Sequence, residues 1–122
     1  MVGDLPLSRV LVMNDANYPW LILVPRHAGA TEIIDLADEH QSELMDEIAL
    51  LSQVLKDATA CDKLNVAALG NVVAQLHVHI VARRRGDAAW PRPVWGAVAP
   101  RAYAPAELDK FLRRIRGEVA FG

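Results

Sequence analysis

Two imidazoles and an amide stand at alternate positions in Gln75-Leu76-His77-Val78-His79-Ile80-Val81-Ala82. Unbroken alternation of polar and apolar residues is the pattern of a β-strand, whose successive side chains point to opposite faces. It predicts Gln75, His77 and His79 on one face, with Leu76, Val78, Ile80 and Ala82 on the other as a row suited to burial against helices. Imidazole titrates near neutral pH and can attack a phosphorus or carbonyl centre, bind a metal, or move a proton. Three readings compete on the residues alone. A strand histidine can be structural or simply surface-exposed. A His-x-His pair can converge on a metal ion, but zinc needs a third or fourth ligand. The remaining histidines are His27 and His40, and the single Cys61 has no partner at metal spacing. The third reading is nucleophilic catalysis, one imidazole attacking while its neighbours orient it.

Such a strand needs elements to hold it. Leu5 to Met13, ending in Val10-Leu11-Val12-Met13, reads as a strand, Asn14-Asp15-Ala16-Asn17 as a turn, and Trp20 to Val24 as a second strand ended by Pro25. The near-continuous apolar character of Trp20 to Val24 predicts burial on both faces, and the short spacing predicts a hairpin. Asp35 is placed to cap a helix whose first turn holds Asp38 and Glu39. Leu44, Ile48, Leu51 and Leu55 then fall at i, i+4, i+7 and i+11, a stripe that must face a core. His40, four residues before that stripe, reads as a surface or stripe-edge residue. Leu64 to Leu69 and Leu76 to Ala82 form a further pair of strands around a turn at Gly70-Asn71. Arg83-Arg84-Arg85 reads as a solvated strand end in preference to a phosphate site. Trp90 to Pro105 reads as an ordered loop packed over the sheet or a neighbour. Pro105 opens a last helix, striped by Leu108, Phe111, Leu112 and Ile115 and stopped by Gly117. Strands around one long helix, with a second helix at the end, predict an α+β domain on an antiparallel sheet.

Composition narrows the function classes. A chain of 122 residues suits one domain, 1–122, with a core of its own. Its formal net charge of -2 and pI near 6.0 argue against broad binding to a nucleic-acid backbone. The 52% hydrophobic content suggests that a subunit interface adds to the buried surface. One cysteine permits no internal disulfide, as expected in a reducing compartment. No basic stretch followed by an apolar one opens the chain, and no apolar run approaches the ~20 residues that span a bilayer. The expectation is a soluble cytoplasmic protein with no membrane partner.

Gln75-Leu76-His77-Val78-His79-Ile80-Val81 resembles the His-φ-His-φ-His-φ-φ signature (φ apolar) of the histidine triad (HIT) superfamily of nucleotide hydrolases and transferases, with Gln75 in the first histidine position. Three further stretches resemble a bacterial branch described as diadenosine polyphosphate hydrolase-like. They are Asn14-Asp15 followed by Tyr18-Pro19-Trp20-Leu21-Ile22-Leu23-Val24-Pro25-Arg26, and Asn65 to Val73 with Asp87 to Gly96.

The resemblance implies a five-stranded antiparallel sheet with two main helices, paired as a homodimer. It implies that His77 is a nucleophile toward the α-phosphate of a nucleotide, forming a nucleotidyl-histidine that water or another acceptor resolves. His79 would bond the phosphate or assist the leaving group, and backbone N–H groups near Gly70, Asn71 and Val72 would meet phosphate oxygens. Asn14 would meet the ribose, with a turn role as its alternative. Trp90 and Trp95 match a tryptophan region that approaches the site in some relatives, with packing as the preferred reading of each. The substrates implied are dinucleoside polyphosphates, nucleoside phosphoramidates or acyl-nucleotides. No resident cofactor or metal is required, any divalent cation arriving on the substrate. Gln75 is the departure: glutamine hydrogen-bonds but carries no proton charge, so a relay through that position is lost. A nucleotide-binding module with little or no catalysis is the alternative function.

Overall fold

The computed structural model describes residues 1–122. Five strands form one sheet: β1 (Gly3–Asp4), β2 (Ser8–Val12), β3 (Trp20–Pro25), β4 (Lys63–Ala67) and β5 (Val78–Arg83), in the order β1-β2-β3-β5-β4. Every neighbouring pair is antiparallel. The predicted β2–β3 and β4–β5 pairings are present; β1, only two residues long, is too short to show a period in sequence. Helix α1 (Asp38–Thr59) lies between β3 and β4, and α2 (Pro105–Arg116) follows β5.

The period-2 rule divides the sheet into two faces. Val10, Leu21, Leu23, Val78, Ile80 and Ala82 join Leu44, Ile48, Leu51, Leu55 and Ile115 of the helices in the main core. Each fully buried aliphatic side chain there contributes about 1.5–3 kcal/mol. The α1 stripe is therefore the core-facing one, as its spacing predicts. In α2 only Ile115 is fully buried, while Leu108, Phe111 and Leu112 are half-buried. Glu47 is also buried on α1, where its carboxylate accepts the Leu7 N–H at 2.8 Å and ties the helix to the entry of β2. On the opposite face, the register sets Leu11 beside Ile22, Ile22 beside His79 and His79 beside Ala67, one row across four strands. A second, smaller cluster forms there from Tyr18, Trp20, Val81, Ala89 and Val94.

Local contacts overturn four expectations. Asp35 does not cap α1: its carboxylate accepts the N–H groups of Thr31 and Glu32 at 3.0 and 2.9 Å, closing a 3-10 turn over Ile33–Asp35, and α1 starts later with Ala37 at its N-cap. A nearer set of orphan N–H groups claimed the side chain. Strand β3 is not buried on both faces, because Ile22 and Val24 are only half-covered. The ladder of β5 begins at Val78, since the Leu76 N–H bonds instead to the Ala30 carbonyl at 2.8 Å. Finally, Arg83 is no solvated strand end. Its side chain is 1% exposed, forks onto both Asp87 carboxylate oxygens at 2.7 and 3.0 Å, and donates to Asn65 Oδ1 at 2.8 Å. Its guanidinium carbon also lies 5.6 Å from the ring centres of Tyr18 and Trp90.

The two sheet edges differ. The C-terminal tail covers β1: the Gly122 N–H donates to the Asp4 carbonyl at 2.9 Å, and Phe121 packs so close that a Cβ at Gly3 would meet it at 2.5 Å. Strand β4 is the uncovered edge and exposes Val66.

Candidate active site

His77 sits one residue ahead of β5, at the end of the loop that follows β4. It is half-buried, and its Nδ1 lies 2.7 Å from the backbone carbonyl of Gln75. A carbonyl oxygen only accepts, so this contact requires the proton on Nδ1 and leaves the Nε2 lone pair free. The ring centre of His79 is 4.9 Å away at 75°, edge to face.

His79, on β5 itself, is 5% exposed. The indole N–H of Trp20 on β3 donates to its Nδ1 at 3.0 Å. An indole nitrogen is a donor only, so His79 Nδ1 keeps its lone pair and the proton resides on Nε2. His77 and His79 thus hold opposite tautomers, one offering a lone pair and the other an N–H. Trp20 and Trp95 flank the His79 ring edge to face, with centres 5.6 and 5.2 Å away. This apolar wrapping lowers the His79 pKa to about 4, mainly because burial disfavours the cation, with repulsion from His77 adding to it.

Gln75 is half-buried, and its Nε2 donates to the His27 carbonyl at 3.2 Å, with the Pro25 carbonyl at 3.5 Å. Both neighbours are acceptors, which fixes the amide's orientation. Its backbone carbonyl is the group that holds His77.

Two hollows meet at His77. One, of about 290 Å³, is walled by Leu11, Met13, Ile22, Val24 and Val73 with Gln75, His77 and His79. The other, also about 290 Å³, lies between Thr31–Ile34 and Ala68–Gly70, with Leu76 and His77. The first is almost wholly apolar apart from the Gln–His–His row, and suits a flat heterocycle or an alkyl group beside a reacting centre.

The other residues singled out in the sequence lie around this centre. Asn71 and Val72 are exposed on the loop before β5, Val72 at 97%, while the neighbouring Val73 forms a wall of the apolar hollow. Asn14 walls neither hollow. Its Oδ1 accepts the Tyr103 N–H at 2.9 Å, and Asp15 Oδ1 accepts from Asn17 and Arg101, so the Asn14-Asp15 turn anchors the chain entering α2. Trp95 does more than pack, since it covers His79. Trp90 lies against Arg83 instead. Trp20 was legible only as the start of a strand; nothing near it in sequence signals a histidine 59 residues away. His40 is half-buried with its ring centre 5.0 Å from that of His27, and its Nδ1 has no hydrogen-bond partner.

A fixed N–H donor and a lone-pair imidazole on one sheet face, beside an apolar hollow, can perform nucleophilic substitution at an electrophilic centre. The family of HIT domains matches residues 1–86. The chain belongs to the HIT family. Its fold also agrees with crystal structures of histidine triad proteins. One from Bradyrhizobium japonicum is 60% identical with a TM-score of 0.96, over 98% of this chain and 89% of that one. One from Sinorhizobium meliloti is 43% identical with a TM-score of 0.94, over 97% and 87%. One from Marinobacter aquaeolei is 43% identical with a TM-score of 0.93, over 95% and 85%. Among curated proteins the chain has no match. The HIT family includes nucleotide hydrolases and transferases. No helix is long and apolar enough to cross a membrane.

Proposed function

We propose that this HIT protein is a nucleotidyl hydrolase or transferase of the diadenosine polyphosphate hydrolase-like branch, acting at the α-phosphate of a nucleotide through a nucleotidyl-histidine on His77. The observation that carries this reading is the tautomer of His77: its Nδ1 proton is committed to the Gln75 carbonyl, so Nε2 is a free nucleophile at the junction of the two hollows. Covalent catalysis splits one hard displacement into two easier ones. Phosphoryl transfer asks mainly for positioning and for donors to the equatorial oxygens. His79 Nε2–H is one such donor, and backbone N–H groups at Asn71 and Val72 on the adjoining exposed loop are others. The apolar hollow takes the base or the ribose. Asn14 retains its amide N–H groups for a ribose hydroxyl while its oxygen holds Tyr103.

The test uses substrate labelled in the α-phosphate. A phosphorus–imidazole bond is labile to acid and survives alkaline quenching, so the adduct can be trapped in base and mapped by peptide mass. The label is expected on the peptide containing His77, and a His77→Gly variant is expected to bind nucleotide without forming it. Turnover with no adduct in a single-turnover experiment, or an adduct elsewhere, would refute the assignment.

One observation favours the second reading, a nucleotide-binding module. Gln75 spends its amide on backbone carbonyls and offers the site no titratable group. Nucleotide binding with neither turnover nor adduct across dinucleoside polyphosphates, acyl-nucleotides and phosphoramidates would put that reading first. For assembly we propose a homodimer, a second copy covering apolar surface that one chain leaves exposed at the open β4 edge and at Ile33, Ile34 and Leu69. A monomer mass in sedimentation equilibrium at low micromolar concentration would exclude it.

A further inference from the structure

Resting on the reading of His77 as nucleophile, we propose that the site selects its substrate by leaving group. It turns over nucleotide anhydrides, whose phosphate or carboxylate departs as a stable anion, and it fails on nucleoside phosphoramidates, whose amine needs a proton to leave.

The supply of protons at the site decides which leaving groups can depart. Three side chains stand at the reacting centre, and none can deliver one. Gln75 has no acidic proton at all, and its amide is held by the His27 carbonyl. The one proton of His77 faces the Gln75 carbonyl, on the side of the ring away from the attacking nitrogen. His79 would have to be an imidazolium to act as an acid. Protonating its Nδ1 would point that N–H at the indole N–H of Trp20, 3.0 Å away, and strip a buried donor of its acceptor. The two tryptophans around the ring exclude the water that would otherwise solvate the cation. The lowered pKa of His79 agrees with this geometry. The only other ionisable side chain on the walls of either hollow is Glu32, which is exposed to solvent.

The chemistry balances without an acid only for an anhydride. In the first step the Nε2 lone pair of His77 forms the N–P bond, the P–O bond to the leaving group breaks, and its electron pair departs with the oxygen. His77 enters as a neutral imidazole and becomes an N-phosphoryl imidazolium, its Nδ1 proton still on the Gln75 carbonyl. His79 Nε2–H hydrogen-bonds the departing oxygen and keeps its proton. In the second step a water oxygen bonds to phosphorus, the N–P electron pair returns to Nε2, one water proton passes to solvent and the other stays on the nucleotide. With a P–N substrate the first step would expel an amide anion, a far stronger base than phosphate or carboxylate. Proton donation by a positioned acid contributes ~10²–10⁴-fold, and that is the factor missing here.

The experiment compares acetyl adenylate, diadenosine tetraphosphate and adenosine 5′-phosphoramidate on the wild-type protein, each corrected for spontaneous hydrolysis. Adduct formation on His77 and competition by the phosphoramidate are measured alongside. The expected result is turnover and adduct with the anhydrides, and at least ~10²-fold lower kcat/KM with a phosphoramidate that still competes for the site. Gln75→His, which places a titratable ring beside His77, should raise phosphoramidate turnover relative to anhydride turnover. Comparable kcat/KM for the two bond types would overturn the inference and leave the His77 adduct standing; loss of that activity in Glu32→Gln would then identify the acid. A phosphoramidate that does not compete would also overturn it, because rejection would lie in binding. No turnover and no adduct with any substrate would instead refute the underlying reading, and the inference with it.

Discussion

The indole N–H of Trp20 donates to Nδ1 of His79 at 3.0 Å, joining β3 to β5 on the sheet face away from the helices. The bond makes the tautomer of a site histidine depend on a residue outside its own strand. It also fixes the direction in which His79 offers its proton, toward the hollow it shares with His77.

Trp20→Phe keeps an aromatic ring against Tyr18 and Trp95 but removes the donor. Leaving a buried acceptor unpaired costs about 1–3 kcal/mol, which a denaturant midpoint will read. Long-range proton–nitrogen NMR correlations should show His79 almost entirely as the Nε2–H tautomer in the wild type and as a mixture in the variant. An unchanged tautomer ratio with only a loss of stability would mean that Trp20 is merely packing.

The lowered pKa of His79 makes a statement about acid stability. With a folded value of about 4 against an ordinary 6.5, the unfolded chain binds more protons between those limits. Stability therefore rises with pH through that window, is fully present above about 6.5 and is lost as pH falls toward 4. His79→Gln should flatten this part of the stability profile relative to the wild type. Parallel profiles in denaturant melts from pH 4 to 7 would contradict it.

His79→Ala should lower kcat/KM by ~10²–10³-fold, the range for one hydrogen-bond donor to developing charge. Loss of His77 should cost more and abolish the adduct, because a nucleophile has no substitute. Equal and negligible effects of both changes would favour the binding module.

Arg83→Lys should destabilise the fold by about 1–3 kcal/mol, the cost of leaving buried hydrogen-bonding groups unpaired while the charge is kept. The side chains of Arg83 and Asp87 are 1% and 9% exposed, and the pair is bidentate, a geometry that an ammonium cannot reproduce. Urea unfolding within 1 kcal/mol of the wild type would show that the pair adds little.

The sequence by itself determined what depends on the chain's own periodicity. The alternation around His77 and His79 put Val78, Ile80 and Ala82 in the core, and the spacing of Leu44, Ile48, Leu51 and Leu55 did the same for α1. Pro105 opened α2, and Gly117 closed it. These follow from the two residues per strand repeat and 3.6 per helical turn, which any stretch carries locally. Only the tertiary structure decided who meets whom across the sheet. The register that sets Ile22 beside His79 brings Trp20 onto a ring 59 residues away, and a loop beyond β5 lays Trp95 over the same ring. Arg83 looked like one cation in a run of three until the turn after β5 folded Asp87 back onto it. Asp35 had two sets of orphan N–H groups within reach, and the nearer set won. For His79 the deciding energy is the pairing of a buried polar group whose partner is chosen by register that local sequence does not contain; Arg83 and Asp35 found partners only three or four residues away, and the fold of the intervening turn decided which.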